Sequence, residues 1–188
     1  DELLDVAELC SRLGVYEFDF ARLIPIGNGA MMKEERMSPD EMRSFLLKVH
    51  ERYKELRTRY PTKFGTKDNL WKPLYYELGL IKDEDIDGLD DKDDHSVVGG
   101  CAIGINYLPV LADGTVFLCR RMMVRIGKVP EQSLREIFSD SRKAEKMRDI
   151  RNFECKDCKL CKVCRGCPAI SKAVLGNEFA RDPQCWFD

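Results

Sequence analysis

Leu3, Leu4, Val6, Ala7, Leu9, Cys10 and Leu13 fall on one helical stripe, and Gly14 stands where a helix C-cap belongs. The stripe predicts an N-terminal helix that carries Cys10 as a buried, inert thiol. Val15–Ile26 alternates instead, with Val15, Tyr16, Phe18, Phe20, Leu23 and Ile24 reading as a strand that runs into a Pro25-Ile26-Gly27-Asn28-Gly29 loop. A helix feeding a strand with a glycine-rich exit is an α/β unit of the kind found in parallel sheets and barrels. Ser38-Pro39-Asp40-Glu41 then combines a capping box with proline at the first helical position. It opens a long helix whose apolar face, Met42, Phe45, Leu46, Val49, Tyr53 and Leu56, runs to about Tyr60, where Pro61 stops it. His50 lies in that helix and reads as a surface or rim histidine.

Residues 61–81 are mixed, with a short helix expected around Trp71–Leu80. Between 82 and 95 stand eight acidic side chains, Asp83, Glu84, Asp85, Asp87, Asp90, Asp91, Asp93 and Asp94. That density with little apolar content reads as a solvated linker, and the domain boundary falls there. Ile105–Leu111 and Thr115–Cys119 flank Ala112-Asp113-Gly114 and predict a β-hairpin. Ser133-Leu134-Arg135-Glu136 is a second capping box, starting a helix through about Phe138, and Arg142–Ile150 predicts another helix. A cysteine-rich run, Cys155–Cys167, precedes a short helix over Ala169–Leu175 ending at Gly176.

Composition narrows the class. The 188 residues are 44% hydrophobic and 34% charged, enough apolar content for a modest core in one domain or two small ones. The balance of 31 basic against 33 acidic residues argues against a general nucleic-acid binder. No apolar run approaches the roughly 18 residues a membrane helix needs. The chain opens Asp1-Glu2-Leu3-Leu4, which reads as the inside of a helix, so it is taken as part of a longer protein, and no targeting signal can be read from it.

Nine cysteines dominate the candidate chemistry: Cys10 alone, the pair Cys101 and Cys119, and six between Cys155 and Cys185. Cys-x₂-Cys units among lysines, in a chain with an ordinary core, favour metal thiolates in a reducing, cytoplasmic compartment over disulfides. Cys155, Cys158, Cys161, Cys164 and Cys167 recur every third residue, followed by Pro168. Two residues between thiolates let both turn toward one ion or cluster, so spacing alone admits zinc and iron–sulfur alike. Lys156, Lys159, Lys162 and Arg165 interleave with these cysteines, and Arg120, Arg121 and Arg125 follow Cys119. They read either as counter-charges to an anionic cluster or as plain surface cations.

The order Cys101-x₁₂-Gly114-x₄-Cys119, then Cys155-x₂-Cys158-x₅-Cys164-x₂-Cys167-x₁₇-Cys185, resembles the signature of the SPASM domain, the C-terminal extension of many radical SAM enzymes. Asp113-Gly114-Thr115-Val116, Ile126-Gly127-Lys128-Val129, Ser133–Phe138 and Asp182-Pro183-Gln184-Cys185 are similar to it too, so the likeness covers about residues 99–188. The resemblance implies two auxiliary [4Fe–4S] clusters. Cys101, Cys119 and Cys167 would hold the inner one, and Cys155, Cys158, Cys164 and Cys185 the outer one, with Cys161 surplus. Two departures stand out: the Cys164–Cys167 gap is one residue shorter than the commonest spacing, and a further cysteine before Cys101 is absent. His95, Asp94 or Cys161 is the candidate substitute, and an iron site left open to substrate is the other possibility.

The first half is similar to the end of a radical SAM core, where Arg22-Leu23-Ile24-Pro25-Ile26-Gly27 matches an Arg-x-x-Pro-x-Gly strand exit. The resemblance implies the last βα part of a partial (β/α)₆ barrel in residues 1–81, a linker over 82–98, and a small α+β SPASM domain with a β-hairpin and short helices over 99–188. Arg22 and Gly27 then face the S-adenosylmethionine or substrate cavity, or else form a structural salt bridge and an ordinary turn. Residues 1–100 contain only Cys10, so the Cys-x₃-Cys-x₂-Cys motif that binds the SAM cluster is not in this chain. By resemblance the whole enzyme uses S-adenosylmethionine and a third [4Fe–4S] cluster to make a 5′-deoxyadenosyl radical. It takes electrons from a ferredoxin or flavodoxin and cross-links a ribosomally made peptide through a thioether or carbon–carbon bond. An anaerobic sulfatase-type maturase and a zinc-bound interaction module are the alternatives.

Overall fold

The computed structural model describes residues 2–87 and 96–187. Asp90, Asp91, Asp93, Asp94 and His95 lie outside the described residues, and with them the centre of the expected linker and two of the candidate inner-cluster ligands.

Helix α1, Glu2–Arg12, follows the predicted stripe and ends before Gly14, whose φ of 71° is the left-handed conformation a C-cap takes. Cys10 on it is half-buried, not buried as expected. Only Ala7 and Ser11 of this helix are enclosed, because α1 rests one narrow face on α2. Helix α2, Pro39–Arg59, has the full capping box: Ser38 accepts from the Glu41 N–H, and Glu41 accepts from the Ser38 N–H. His50 on it is 8% exposed, buried against the edge of Tyr75 at 5.7 Å, which corrects the surface reading. Burial also lowers its pKa.

The strand expected over Val15–Ile26 shrinks to β1, Glu17–Phe18, paired in parallel with β2, Lys63–Phe64. After Phe18, the Asp19 carboxylate accepts from the Phe20 N–H at 2.9 Å and turns the chain away from the ladder. Two paired strands of two residues do not make a barrel sheet, and the remaining strands among the described residues are antiparallel. A 3-10 stretch, Gly27–Glu35, joins this unit to α2. Helix α3, Trp71–Glu77, completes the first core, in which Tyr53 stacks on Phe64 at 4.3 Å and lies against Trp71 at 6.1 Å.

Part of the segment read as linker is helical: α4, Asp83–Asp87, buries Ile86 against Leu160 and Cys164. The hairpin is real, but its partner differs. Strand β3, Thr115–Cys119, pairs antiparallel with β4, Met122–Lys128, turning at Arg120-Arg121. Residues 105–111 meet β3 only in a short antiparallel bridge of Val110 with Val116, where Leu111 N–H donates to the Thr115 carbonyl and Phe117 N–H to the Pro109 carbonyl. Pro109 lacks the N–H that a full ladder needs, and Cys-Arg-Arg-Met carries no glycine or asparagine to mark the true turn. Helices α5, Leu134–Asp140, and α6, Arg142–Arg148, start at Ser133 and Ser141 as the sequence indicates. Helix α7, Pro168–Leu175, ends on Gly176 at φ 76°.

Because the Ser133 hydroxyl serves the exposed start of α5, Ser133→Ala is expected to lose about 1 kcal/mol in urea denaturation, with cluster loading unchanged.

The two halves interlock. Ile24 from the first half packs in the core formed by β3, β4, α6 and α7, while Cys185 and Trp186 return to pack against the core of α1–α3. No helix among the described residues is long and apolar enough to cross a membrane.

Candidate metal centre

The cysteine run folds as consecutive turns. Cys158 N–H donates to the Cys155 carbonyl at 3.0 Å, Cys161 N–H to Cys158 at 2.9 Å, and Cys164 N–H to Leu160 at 2.8 Å. The first two bonds span three residues and bring side chains at i and i+3 onto one side, and the third spans four, so the period of three in the sequence carries these sulfurs to one cavity. Cys155, Cys158, Cys161 and Cys164 line a cavity of about 630 Å³. Cys185 joins them from the tail, where its N–H donates to the Asp182 carbonyl at 2.9 Å. Cys161 lies with its Sγ 3.6 Å from that of Cys155.

Cys101, Cys119 and Cys167 form a separate group. Gly99 and Gly100 press the chain before Cys101 against the cysteine loop, and a Cβ on Gly100 would lie 2.7 Å from the Val163 carbonyl oxygen. Cys119 ends β3, and Cys167 precedes α7. Cys101 and Cys167 line a second cavity of about 370 Å³ together with Tyr107, Arg120, Arg121, Asp68 and Asn69. Cys101 lies within electrostatic reach of both Cys119 and Cys167. Tyr107 hydrogen-bonds Cys119 and faces Cys101, a neighbour the sequence did not mark because Ile105–Leu111 read as a plain strand.

Burial sets the chemistry of these thiols. It raises Cys101, Cys158, Cys164 and Cys185, and pushes Cys167 up to about 11. Such thiols are poor nucleophiles at neutral pH and release their protons in favour of a metal. Cys155 alone is lowered, by its hydrogen bond with Cys161, and that same bond raises Cys161 most. Backbone donors already aim at the sulfurs: Gly166 N–H at Cys164 and Arg121 N–H at Cys119, each at 3.4 Å, with further backbone hydrogen bonds at Cys101, Cys158, Cys167 and Cys185.

A single tetrahedral zinc, with Zn–S of about 2.3 Å, draws its sulfurs to about 3.8 Å of one another. Among the described residues no three cysteine, histidine or acidic side chains converge closely enough to hold one metal ion. The thiols border two voids, five at the first and Cys101 and Cys167 at the second, and offer an all-sulfur donor set of a kind that iron–sulfur clusters take.

Arg22 sits where the halves meet. Its Nε donates to Asp68 at 2.7 Å, Nη1 and Nη2 donate to the two Asp182 oxygens at 2.8 Å each, and Nη1 also reaches Gln184 at 3.1 Å. Burial opposes its charge, but the hydrogen bonds and charges of Asp182 and Asp68 outweigh that and raise its pKa. Asp182 also accepts from the Cys167 N–H at 2.8 Å, so the network ties the first half to the cysteine sites. One side of Arg22 borders a third cavity, of about 710 Å³, lined mainly by apolar groups such as Phe20, Met42, Phe45 and Ile170. Gly27, at φ 55°, opens the 3-10 stretch with open space beside it.

Residues 101–168 match the model of SPASM, an iron–sulfur cluster-binding domain. Across 190 aligned residues the chain is 26% identical to an AdoMet-dependent heme synthase of Methanosarcina barkeri (strain Fusaro / DSM 804), an alignment covering 98% of this chain. The same alignment takes in 52% of the relative, so the chain spans about half the length of the curated protein it matches. No solved structure matches. The SPASM match takes in both cysteine groups up to Cys167, and the two comparisons together agree with the resemblance to a radical SAM/SPASM protein.

Proposed function

We propose that this chain holds two auxiliary [4Fe–4S] clusters and serves electron transfer in a radical SAM enzyme that cross-links a ribosomally made peptide, with a ferredoxin or flavodoxin as reductant. The inner site is assigned to Cys101, Cys119 and Cys167, and the outer to Cys155, Cys158, Cys164 and Cys185. The observation that carries the reading is the division of the cysteines between two cavities, one bordered by five thiols and the other by Cys101 and Cys167 with Cys119 close by. When bound, such clusters supply one-electron transfer. The chain's own part is to bury the sulfurs, exclude water and oxygen, and direct the Gly166 and Arg121 N–H groups at Cys164 and Cys119. The inner site, with three cysteines and Tyr107 beside them, is the one with room for a non-cysteine ligand or a substrate atom.

A second reading, a heme-forming reaction, follows from the name of the Methanosarcina relative, an AdoMet-dependent heme synthase. In the full-length protein, the two part on whether a peptide or a heme precursor stimulates release of 5′-deoxyadenosine.

Oxygen-free reconstitution with iron and sulfide is expected to give brown protein absorbing broadly near ~400 nm, with about eight irons per chain. Colourless protein that holds zinc in preference to iron would overturn the cluster reading.

A further inference from the structure

Four cations interleave with the cysteine run, and their surroundings divide them sharply. Lys156 and Lys159 are exposed, and Lys159 lies against the Tyr76 hydroxyl and 3.7 Å from Asp83. Arg165 is 3% exposed. Its backbone takes φ 46°, a left-handed conformation unfavourable to a non-glycine residue.

The guanidinium donates to three carbonyl oxygens, those of Met147, Cys101 and Ile103, and lies 5.3 Å from the centre of the Phe153 ring. Its Nε is buried without a hydrogen-bond partner. Among the described residues no carboxylate pairs with it, whereas Arg22, the other deeply buried arginine, has two. A buried cation without a counter-charge is costly. Arg165 borders the larger cavity together with Cys155, Cys161 and Cys164, donates to the Cys101 carbonyl, and lies within electrostatic reach of all four of these cysteines.

The geometry points to Arg165 as a counter-cation shared by the two thiolate sites, one that draws its compensating charge from both bound clusters and raises both of their reduction potentials. The inference rests on the cluster reading above. A cluster held by thiolates is anionic, and each reduction adds a further negative charge, so a nearby buried cation favours the reduced form. Solvent screens Lys156 and Lys159, which face water, so these two lysines do not share this role. Arg165 also fixes the two sites to one another, because a single guanidinium spans the Cys101 carbonyl and the loop that carries Cys164.

Three variants of the reconstituted protein separate charge from carbonyl bonding. Arg165→Gln keeps donors and loses the charge, Arg165→Lys keeps the charge and loses the fork, and Lys156→Gln is the exposed control. Iron and sulfide content is measured first, then a redox titration followed by electron paramagnetic resonance. At the wild-type midpoint, Arg165→Gln is expected to lower the reduced-to-oxidised ratio of both clusters at least tenfold, a shift of about 59 mV for a one-electron couple. Arg165→Lys is expected to stay within threefold of wild type, and Lys156→Gln to be unchanged. If Arg165→Gln binds too little iron to titrate, full loading of Arg165→Lys supports the charge role, and equal failure of both overturns it. Equal potentials in Arg165→Gln and Arg165→Lys, or a shift in one cluster alone, overturn it as well. Wild-type protein without iron removes the cluster reading and this inference together, whereas iron-loaded wild type with an unmoved Arg165→Gln removes this inference alone.

Discussion

Arg22→Met is expected to destabilise the metal-free protein by about 3–5 kcal/mol, the range found when one partner of a buried ion pair is removed and the other is left behind. The side chains of Arg22, Asp68 and Asp182 are 5%, 7% and 1% exposed, so water cannot replace the lost guanidinium. Methionine fills much of the volume but leaves two carboxylates without their cation. Asp68 then keeps its bond from the Leu70 N–H, and Asp182 those from the Cys167 and Gln184 N–H groups, too few donors for two buried charges. Arg43→Met, which breaks the more exposed Arg43–Glu77 pair, is expected to cost less than about 1 kcal/mol. Denaturant titration of both variants provides the comparison, and similar losses would mean that the Arg22 network is not what joins the halves. The effect reaches the metal sites through Asp182. A Cβ on Gly166 would lie 2.4 Å from the Asp182 Cβ, so the turn between Cys164 and Cys167 is built directly on that side chain.

What the sequence disclosed follows the range of the interactions involved. Ser38 with Glu41 and Ser133 with Glu136 are contacts three residues apart, and both capping boxes formed where they were read. The period of three through Cys155–Cys164 is equally local, and it carried these sulfurs to one cavity. Partnerships across the chain left no such trace. Arg22 meets Asp182 at a separation of 160 positions, and nothing in either local pattern says which of its two readings, cavity or salt bridge, prevails; the structure gives it the salt bridge and a place at a cavity edge. His50 carried a polar label on a helix whose buried arc proved wide enough to enclose it. Strand β4 was missed because its turn has neither glycine nor asparagine, and Arg165 looked like its lysine neighbours because burial is not written in charge. The division of the cysteines into two groups was legible only through family resemblance, since Cys167 continues the period of three yet sits with Cys101 rather than with Cys164.

Removing single sulfurs is expected to separate ligands from bystanders around the larger cavity. Cys158→Ala, Cys164→Ala and Cys185→Ala should each halve the iron of the reconstituted protein, from about eight to about four atoms per chain, because a four-iron cluster with one of its four thiolates deleted is poorly held. Cys161→Ala should keep its iron. Five thiols line this cavity, one more than a cluster takes, and Cys161 is the one the resemblance leaves over, its sulfur 3.6 Å from that of Cys155 and near enough to donate to it once Cys155 is a bound thiolate. Hydrogen bonds to a ligand sulfur withdraw charge from it and raise the cluster's potential. Deleting the Cys161 thiol should therefore move the outer cluster to a more negative midpoint and leave the inner one where it was. Arg165→Gln, by contrast, is expected to move both, so the pair of variants reads out which groups act on one site and which on two. If Cys161→Ala lost as much iron as Cys164→Ala, Cys161 would be a ligand. Cys185, which alone reaches the cavity from the tail and accounts for no turn of the loop, would then be the spare thiol.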